Sequence, residues 1–261
     1  MYPIAFHIGN VAIHWYGILT AIGFLAGFWT ASRRAPLDGL SSESVADIGP
    51  WLIVGGLVGS RMLYVITYWQ EDFSGAPLMD IFKIRQGGLV FYGGFIGATL
   101  CTIFYVRKNK IPIWKMVDAL APSVALGHAF GRLGCLMTGC CYGKACSLPW
   151  SITFPRDHVT HPIAVHPTQL YESFFNFALF AGLAWIYRKK KFDGQVFALY
   201  LMAYAFLRAV NELFRGDYEP SKHLGILTPG QLTGILIMSV GIAMWFFCSS
   251  QTRKEKLQNQ E

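Results

Sequence analysis

Seven apolar stretches, at 11–31, 47–69, 89–106, 114–137, 168–187, 195–214 and 229–248, dominate this 261-residue chain. Each approaches the roughly 20 residues that a helix needs to cross the hydrocarbon of a bilayer. Short polar connections separate them. Charged side chains make up 14% of the residues, against about a quarter in a soluble domain, so a water-exposed globular fold is a poor match. The expectation is an all-α polytopic membrane protein with seven transmembrane helices, forming one domain over 1–261 with an external loop at about 141–167. Residues 1–10 lack the basic segment and small-residue cleavage site of a signal peptide, so insertion is expected through the first apolar span.

The basic residues set the orientation. Arg33 and Arg34 follow the first stretch, and Arg107, Lys108, Lys110 and Lys115 join the third to the fourth. Arg188, Lys189, Lys190 and Lys191 join the fifth to the sixth, and Arg253, Lys254 and Lys256 follow the seventh. These alternate connections hold 13 of the 22 Lys and Arg residues. Basic connections stay on the cytoplasmic side, which puts the N-terminus outside and the C-terminus in the cytoplasm. The net charge of +7 is thereby a topology signal, and no nucleic-acid partner is expected.

Arg61, Arg132 and Arg208 fall inside the apolar stretches. A charge in hydrocarbon is costly unless it faces a partner or a wet cavity, so an intramembrane arginine reads as functional. With a rise of 1.5 Å per residue, Arg132 stands about 25 Å above Lys115, in the outer half of the layer. The same arithmetic brings Arg208 and Arg61 to similar heights. The stretches running the other way begin at that level with His14, Tyr16, Tyr92, Gln169, Tyr171, Glu172 and Gln231. Polar groups of all seven stretches are thus expected in one outer layer.

Three local patterns refine this layer. Arg208, Glu212 and Arg215 follow at i, i+4 and i+7, the spacing of one helical stripe. His128 and Arg132 are also four apart, with Cys135 continuing that face. Two guanidinium groups at one depth suit a lipid phosphate, because each offers paired planar donors. In Gln86-Gly87-Gly88-Leu89-Val90-Phe91-Tyr92-Gly93-Gly94, the glycines permit close approach of a ligand or of another helix. Cys135, Cys140, Cys141 and Cys146 admit a disulfide involving Cys146, packing thiols or a metal site, although the paired Cys-x-x-Cys spacing is absent. No metal ligand and no cofactor is called for.

Several motifs in order carry a resemblance: His14-Trp15-Tyr16-Gly17, Gln86-Gly87-Gly88 with Phe91-Tyr92-Gly93-Gly94, and Gly131-Arg132-Leu133-Gly134. They continue with His166-Pro167-Thr168-Gln169-Leu170-Tyr171-Glu172, Arg208 with Glu212 and Arg215, and Thr228-Pro229-Gly230-Gln231. Together they resemble the prolipoprotein diacylglyceryl transferases over nearly the whole chain. The resemblance implies an enzyme of the bacterial cytoplasmic (inner) membrane with its site toward the outer leaflet. Phosphatidylglycerol would be the donor and the lipobox cysteine of a preprolipoprotein the acceptor, giving a thioether and glycerol-1-phosphate. It further implies that Arg132 and Arg208 are the two essential arginines and Tyr16 the important tyrosine of the first span.

The chain departs from the family pattern in three places. Tyr92 stands where the family has histidine, Cys135 where it has asparagine, and Cys140 where it has glutamate. A phenol, with a reference pKa near 10, is a poor base at neutral pH unless cationic charge lies close by. The residues expected in catalysis are Arg132, Arg208, Tyr92, Glu212 and His166, with the base open among Tyr92, His166, Glu172 and Glu212, or the thiol activated by the arginine field alone. Substrate contacts are expected from Arg132, Arg208, Tyr16, Gln169, Glu172, Arg215, His14 and Arg61. The competing readings are an anion or lipid transporter built on the intramembrane arginines, and a family member with an altered acceptor.

Overall fold

The computed structural model describes residues 3–9, 11–75, 77–83, 87–217 and 228–258. Gln86 of the glycine-rich motif lies outside them. Seven long α-helices run through the described residues: α1 (Trp15–Arg34), α2 (Ser42–Thr67), α3 (Phe91–Lys108), α4 (Ile113–Thr138), α5 (Thr168–Tyr187), α6 (Gln195–Glu212) and α7 (Pro229–Gln258). Each coincides with one apolar stretch of the sequence. Two of them, Ser42–Thr67 and Gly230–Lys254, are long and apolar enough to cross a membrane by length and composition.

Several boundaries differ from expectation, with α2 starting at Ser42 and α7 continuing to Gln258. Residues 11–14, read as the start of the first span, form β2 (Val11–His14), which pairs antiparallel with β1 (Ile4–Ile8). Both segments are rich in β-branched and aromatic residues, which favour strands, and Gly9 in the turn has φ +58°. His14 is therefore a strand residue opposite Ile4. Likewise, α6 ends at Glu212. Arg215 lies beyond its end in a β-bridge with Gly143, so the stripe read from Arg208 stops at Glu212.

The chain divides into two compact units, Arg34–Met116 and the remainder, Met1–Arg33 with Val117–Glu261. In the first, α2 packs on α3 through facing glycines. A Cβ on Gly55 would lie 2.6 Å from the Gly97 carbonyl oxygen and 2.7 Å from Cys101 Sγ. Gly59 and Gly93 approach each other in the same way. Spaced Gly-x-x-x-Gly on both helices lets the backbones touch, a packing mode suited to apolar surroundings. The glycines after Tyr92 thus serve helix contact.

In the second unit, α1 and α4 run antiparallel. Gly23 meets Gly127 and Phe130, Gly27 meets Ser123, and Tyr16 meets Gly134. The next contact is Ser173 on α5, whose hydroxyl donates to the Ala129 carbonyl at 3.0 Å. Helix α6 packs on both α5 and α7. Its N-terminus is held by buried Asp118 of α4, which accepts from the backbone N–H of Gly194 (2.8 Å) and Phe197 (2.9 Å) and from Lys190 Nζ (3.1 Å). That carboxylate satisfies amide donors that a helix start leaves unpaired.

Between α4 and α5 the chain forms a small lobe on β3 (Ile152–Thr153) and β4 (Ala164–Val165). Buried Phe154 stacks on His158 with ring centroids 4.1 Å apart, and His158 Nε2 bonds to the Gly139 carbonyl at 2.8 Å. Elsewhere large apolar side chains face outward, among them Leu25 (67% exposed), Ile66 (68%), Phe206 (61%) and Phe246 (68%). Apolar surface on this scale needs an apolar neighbour rather than water.

Candidate active site

Helices α4, α5 and α6 bring four charged groups together. Arg132 on α4 places Nη2 3.0 Å from Glu172 Oε1. Arg208 on α6 places Nη1 4.0 Å from Glu172 Oε2 and 2.8 Å from Glu212 Oε2. One carboxylate on α5 is therefore shared by two guanidinium groups from different helices. Both glutamates are buried at 4% exposure. A buried charge without a partner costs several kcal/mol, whereas a paired and hydrogen-bonded one is tolerated. Two cations and two anions balance this cluster.

Neutral groups hold its geometry. Asn211 Nδ2 donates to Glu172 Oε2 at 2.9 Å. Arg132 Nε donates to His128 Nε2 at 3.1 Å, so His128 acts here as an acceptor, and the Tyr204 ring lies 5.2 Å from it. Ahead of α7, Thr228 Oγ1 donates to Glu212 Oε1 at 2.9 Å. The same Thr228 and Gln231 exchange side-chain-to-backbone bonds, Thr228 N–H to Gln231 Oε1 (3.0 Å) and Gln231 N–H to Thr228 Oγ1 (3.2 Å). This is a capping box. A Cβ on Gly230 would sit 2.7 Å from the Glu212 carboxyl carbon, which is why so small a residue stands in the first turn of α7.

The other expected residues are placed as follows. Tyr16 opens α1 at 46% exposure, seated against Gly134 two residues beyond Arg132. His166 Nδ1 pairs with the Tyr171 hydroxyl at 3.2 Å, and its ring lies 5.2 Å from Phe214. Gln169, expected at substrate, is buried and donates Nε2 to the Cys140 carbonyl at 2.7 Å. Arg215 forms a fork on Asp217, with Nε 2.9 Å and Nη2 2.6 Å from its oxygens. Exposed His14 belongs to the hairpin.

Tyr92 and Arg61 belong to the 34–116 unit. Tyr92 lies in the first turn of α3 and is 65% exposed. Arg61 donates to four backbone carbonyls: Nη2 to Asp80 (2.7 Å), Nε to Ile81 (2.6 Å), and Nη1 to Gly87 and Gly88 (3.1 Å each). Its guanidinium also lies 5.3 Å from the Tyr64 ring centre. These bonds make Arg61 a clamp on the loop between α2 and α3.

The residues missed by sequence reasoning are Asn211 and Tyr204. Asn211 adjoins Glu212 and lies three residues after Arg208, a spacing that places polar groups on neighbouring helix faces. Tyr204 lies four residues before Arg208, the same kind of signal.

Beside Arg132, the thiols of Cys135, Cys140 and Cys141 gather within 4.8 Å of one another. Thiol donation from Cys135 and Cys141 holds the Cys140 thiol well below its usual range. All six cysteines, Cys146 included, are free thiols, so the disulfide considered for Cys146 is not formed.

The family model for prolipoprotein diacylglyceryl transferase matches residues 3–247. A phosphatidylglycerol–prolipoprotein diacylglyceryl transferase of Finegoldia magna is 36% identical over 242 residues, covering 92% of this chain and 93% of that protein. Proteins of the same name from Clostridium tetani and Sinorhizobium medicae are 33% and 35% identical, covering 93% of this chain in each case and 96% and 88% of their own lengths. The chain belongs to the prolipoprotein diacylglyceryl transferase family.

Proposed function

We propose that this chain transfers a diacylglyceryl group from phosphatidylglycerol to the thiol of a prolipoprotein's lipobox cysteine, the first step of lipoprotein maturation. The family membership and the names of the relatives support the reaction. The single structural observation that carries it is the meeting of Arg132 and Arg208 on Glu172. Seven helices cross the bacterial cytoplasmic membrane in this reading, with the N-terminus outside and the arginines toward the outer leaflet. The outward apolar side chains and the alternate basic connections support that orientation.

The reaction is a displacement at the glycerol carbon that carries the phosphate ester. A C–S bond forms as the C–O bond breaks, the electron pair passes to the phosphate oxygen, and glycerol-1-phosphate leaves. Arg132 and Arg208 bind the phosphodiester and stabilise the charge growing on it, a form of electrostatic stabilisation that is a large term in many enzymes. Glu172 and Glu212 hold the two guanidinium groups in position. Glu172 and Glu212 are each engaged by an arginine, and His166 takes the thiol proton. Tyr16 supports the donor from α1.

The test uses the purified full-length chain in phosphatidylglycerol vesicles with a lipobox peptide. Thioether product and glycerol-1-phosphate should appear together. Arg132→Ala and Arg208→Ala should each lower the rate by about 100-fold or more, the scale of losing a charge-stabilising donor, while inserting normally. Wild-type rates in either variant, or anion flux across the vesicles without glycerol-1-phosphate release, would overturn the proposal.

A further inference from the structure

Cys135, Cys140 and Cys141 form a thiol cluster beside Arg132 to which the proposed transfer step assigns no role. Their three Sγ atoms lie within 4.8 Å of one another. A zinc–thiolate bond is about 2.3 Å, so three sulfurs around one ion stand about 3.8–4.0 Å apart. The spacing present is close to that and needs only side-chain adjustment. Exposure points away from packing as the purpose of the cluster: Cys140 is exposed and Cys135 and Cys141 are half-buried.

The backbone that carries these thiols is held from behind. Thr168 Oγ1 donates to the Cys141 carbonyl at 2.6 Å, and Gln169 Nε2 donates to the Cys140 carbonyl at 2.7 Å. Both donors are 1% exposed. Cys141 has φ +63°, a left-handed conformation that a non-glycine residue adopts only when its surroundings impose it. The two anchored carbonyls impose it here, and consecutive thiols reach the same neighbour, Cys135. Because the Cys-x4-Cys-Cys spacing lacks the usual zinc signature, only the fold reveals the cluster.

We infer that Cys135, Cys140 and Cys141 form a three-thiolate site for a soft d10 cation, Zn²⁺ or Cu⁺. Thiolates select such ions over harder ones. On binding, three S–H bonds break, three S–metal bonds form, and the protons pass to solvent. An open fourth position on zinc falls to water. This inference is independent of the transferase reading, because its test involves no substrate.

The reduced full-length chain, stripped with a chelator in detergent, is titrated with Zn²⁺ alone and with Cu⁺ alone. Bound metal is counted by elemental mass spectrometry, and thiols protected from alkylation are mapped by peptide mass spectrometry. Uptake of a single ion of either metal, with Cys135, Cys140 and Cys141 protected together, supports the site. Cys140→Ser and Cys141→Ser should each weaken uptake by more than about 100-fold, beyond the range that outer partners carry, and Cys146→Ser should leave it unchanged. Metal uptake no greater than in the C135S/C140S/C141S chain, or protection of Cys146 to the same degree, would sink the inference. Should that triple variant fail to fold, the wild-type protection map alone decides.

Discussion

Arg132 reaches Glu172 at 3.0 Å, and the second oxygen of that carboxylate faces Arg208 at 4.0 Å. A residue on α5 thereby sets the separation of two guanidinium groups carried by α4 and α6. The spacing of the two guanidinium groups is thus one that neither arginine determines alone.

Glu172→Gln keeps the size of the side chain and removes its charge. Two buried cations then share only Glu212, and loss of one partner from a buried pair costs about 3–5 kcal/mol. The expected outcome is a clear drop in thermal stability in detergent and near-complete loss of glycerol-1-phosphate release. Unchanged turnover in this variant would exclude Glu172 as the positioning group.

Asn211 donates a single bond to Glu172. Asn211→Ala should cost about 1–3 kcal/mol, the range for leaving a buried acceptor unsatisfied. Asn211→Asp should be worse, since it sets a second carboxylate against the first. Comparison of the two variants by turnover and unfolding temperature checks the order.

Gly134 admits Tyr16, whose Cδ2 would lie 2.9 Å from a Cβ at that position and whose Cα would lie 3.2 Å away. Gly134→Ala must push α1 outward or turn the tyrosine. Turnover should fall toward that of Tyr16→Ala, and combining the two changes should add little. Fully additive losses would show that the contact does not act through Tyr16.

Gly55→Ala tests the α2–α3 contact. The nearest atoms include the Gly97 carbonyl oxygen at 2.6 Å, which belongs to backbone and yields little. Overpacking of this kind costs about 1–3 kcal/mol, read as a lower unfolding temperature. Gly17→Ala, where nothing lies within 4 Å of the new methyl group, is the matched control.

Much of this was legible beforehand. Each of the seven helices lies on an apolar run, α5 to the residue, because a run of that length has few alternatives to a helix. The start of α1 was misplaced because residues 11–14 find a strand partner in 4–8, a pairing that hydropathy does not register. Arg208 and Glu212 were readable from their spacing of four, whereas Arg215 left the stripe when the helix stopped. Height along a helix can be computed from sequence, but azimuth cannot. Arg61 therefore looked equivalent to Arg132 until its donors were found on carbonyls 80, 81, 87 and 88. Spacing marks Asn211 as a neighbour of Arg208 and Glu212, but its contact with Glu172 needs two helices already packed.

The opening turns of α5 tie two things to one rod. Thr168 and Gln169 grip the chain beyond α4 at Cys141 and Cys140, and one turn later Glu172 grips both arginines. At 1.5 Å per residue the two grips are only about 5–6 Å apart. Any tug on the polypeptide beyond α4 is therefore felt as a displacement of the charge cluster, and engineering of that segment cannot be treated as remote from the chemistry.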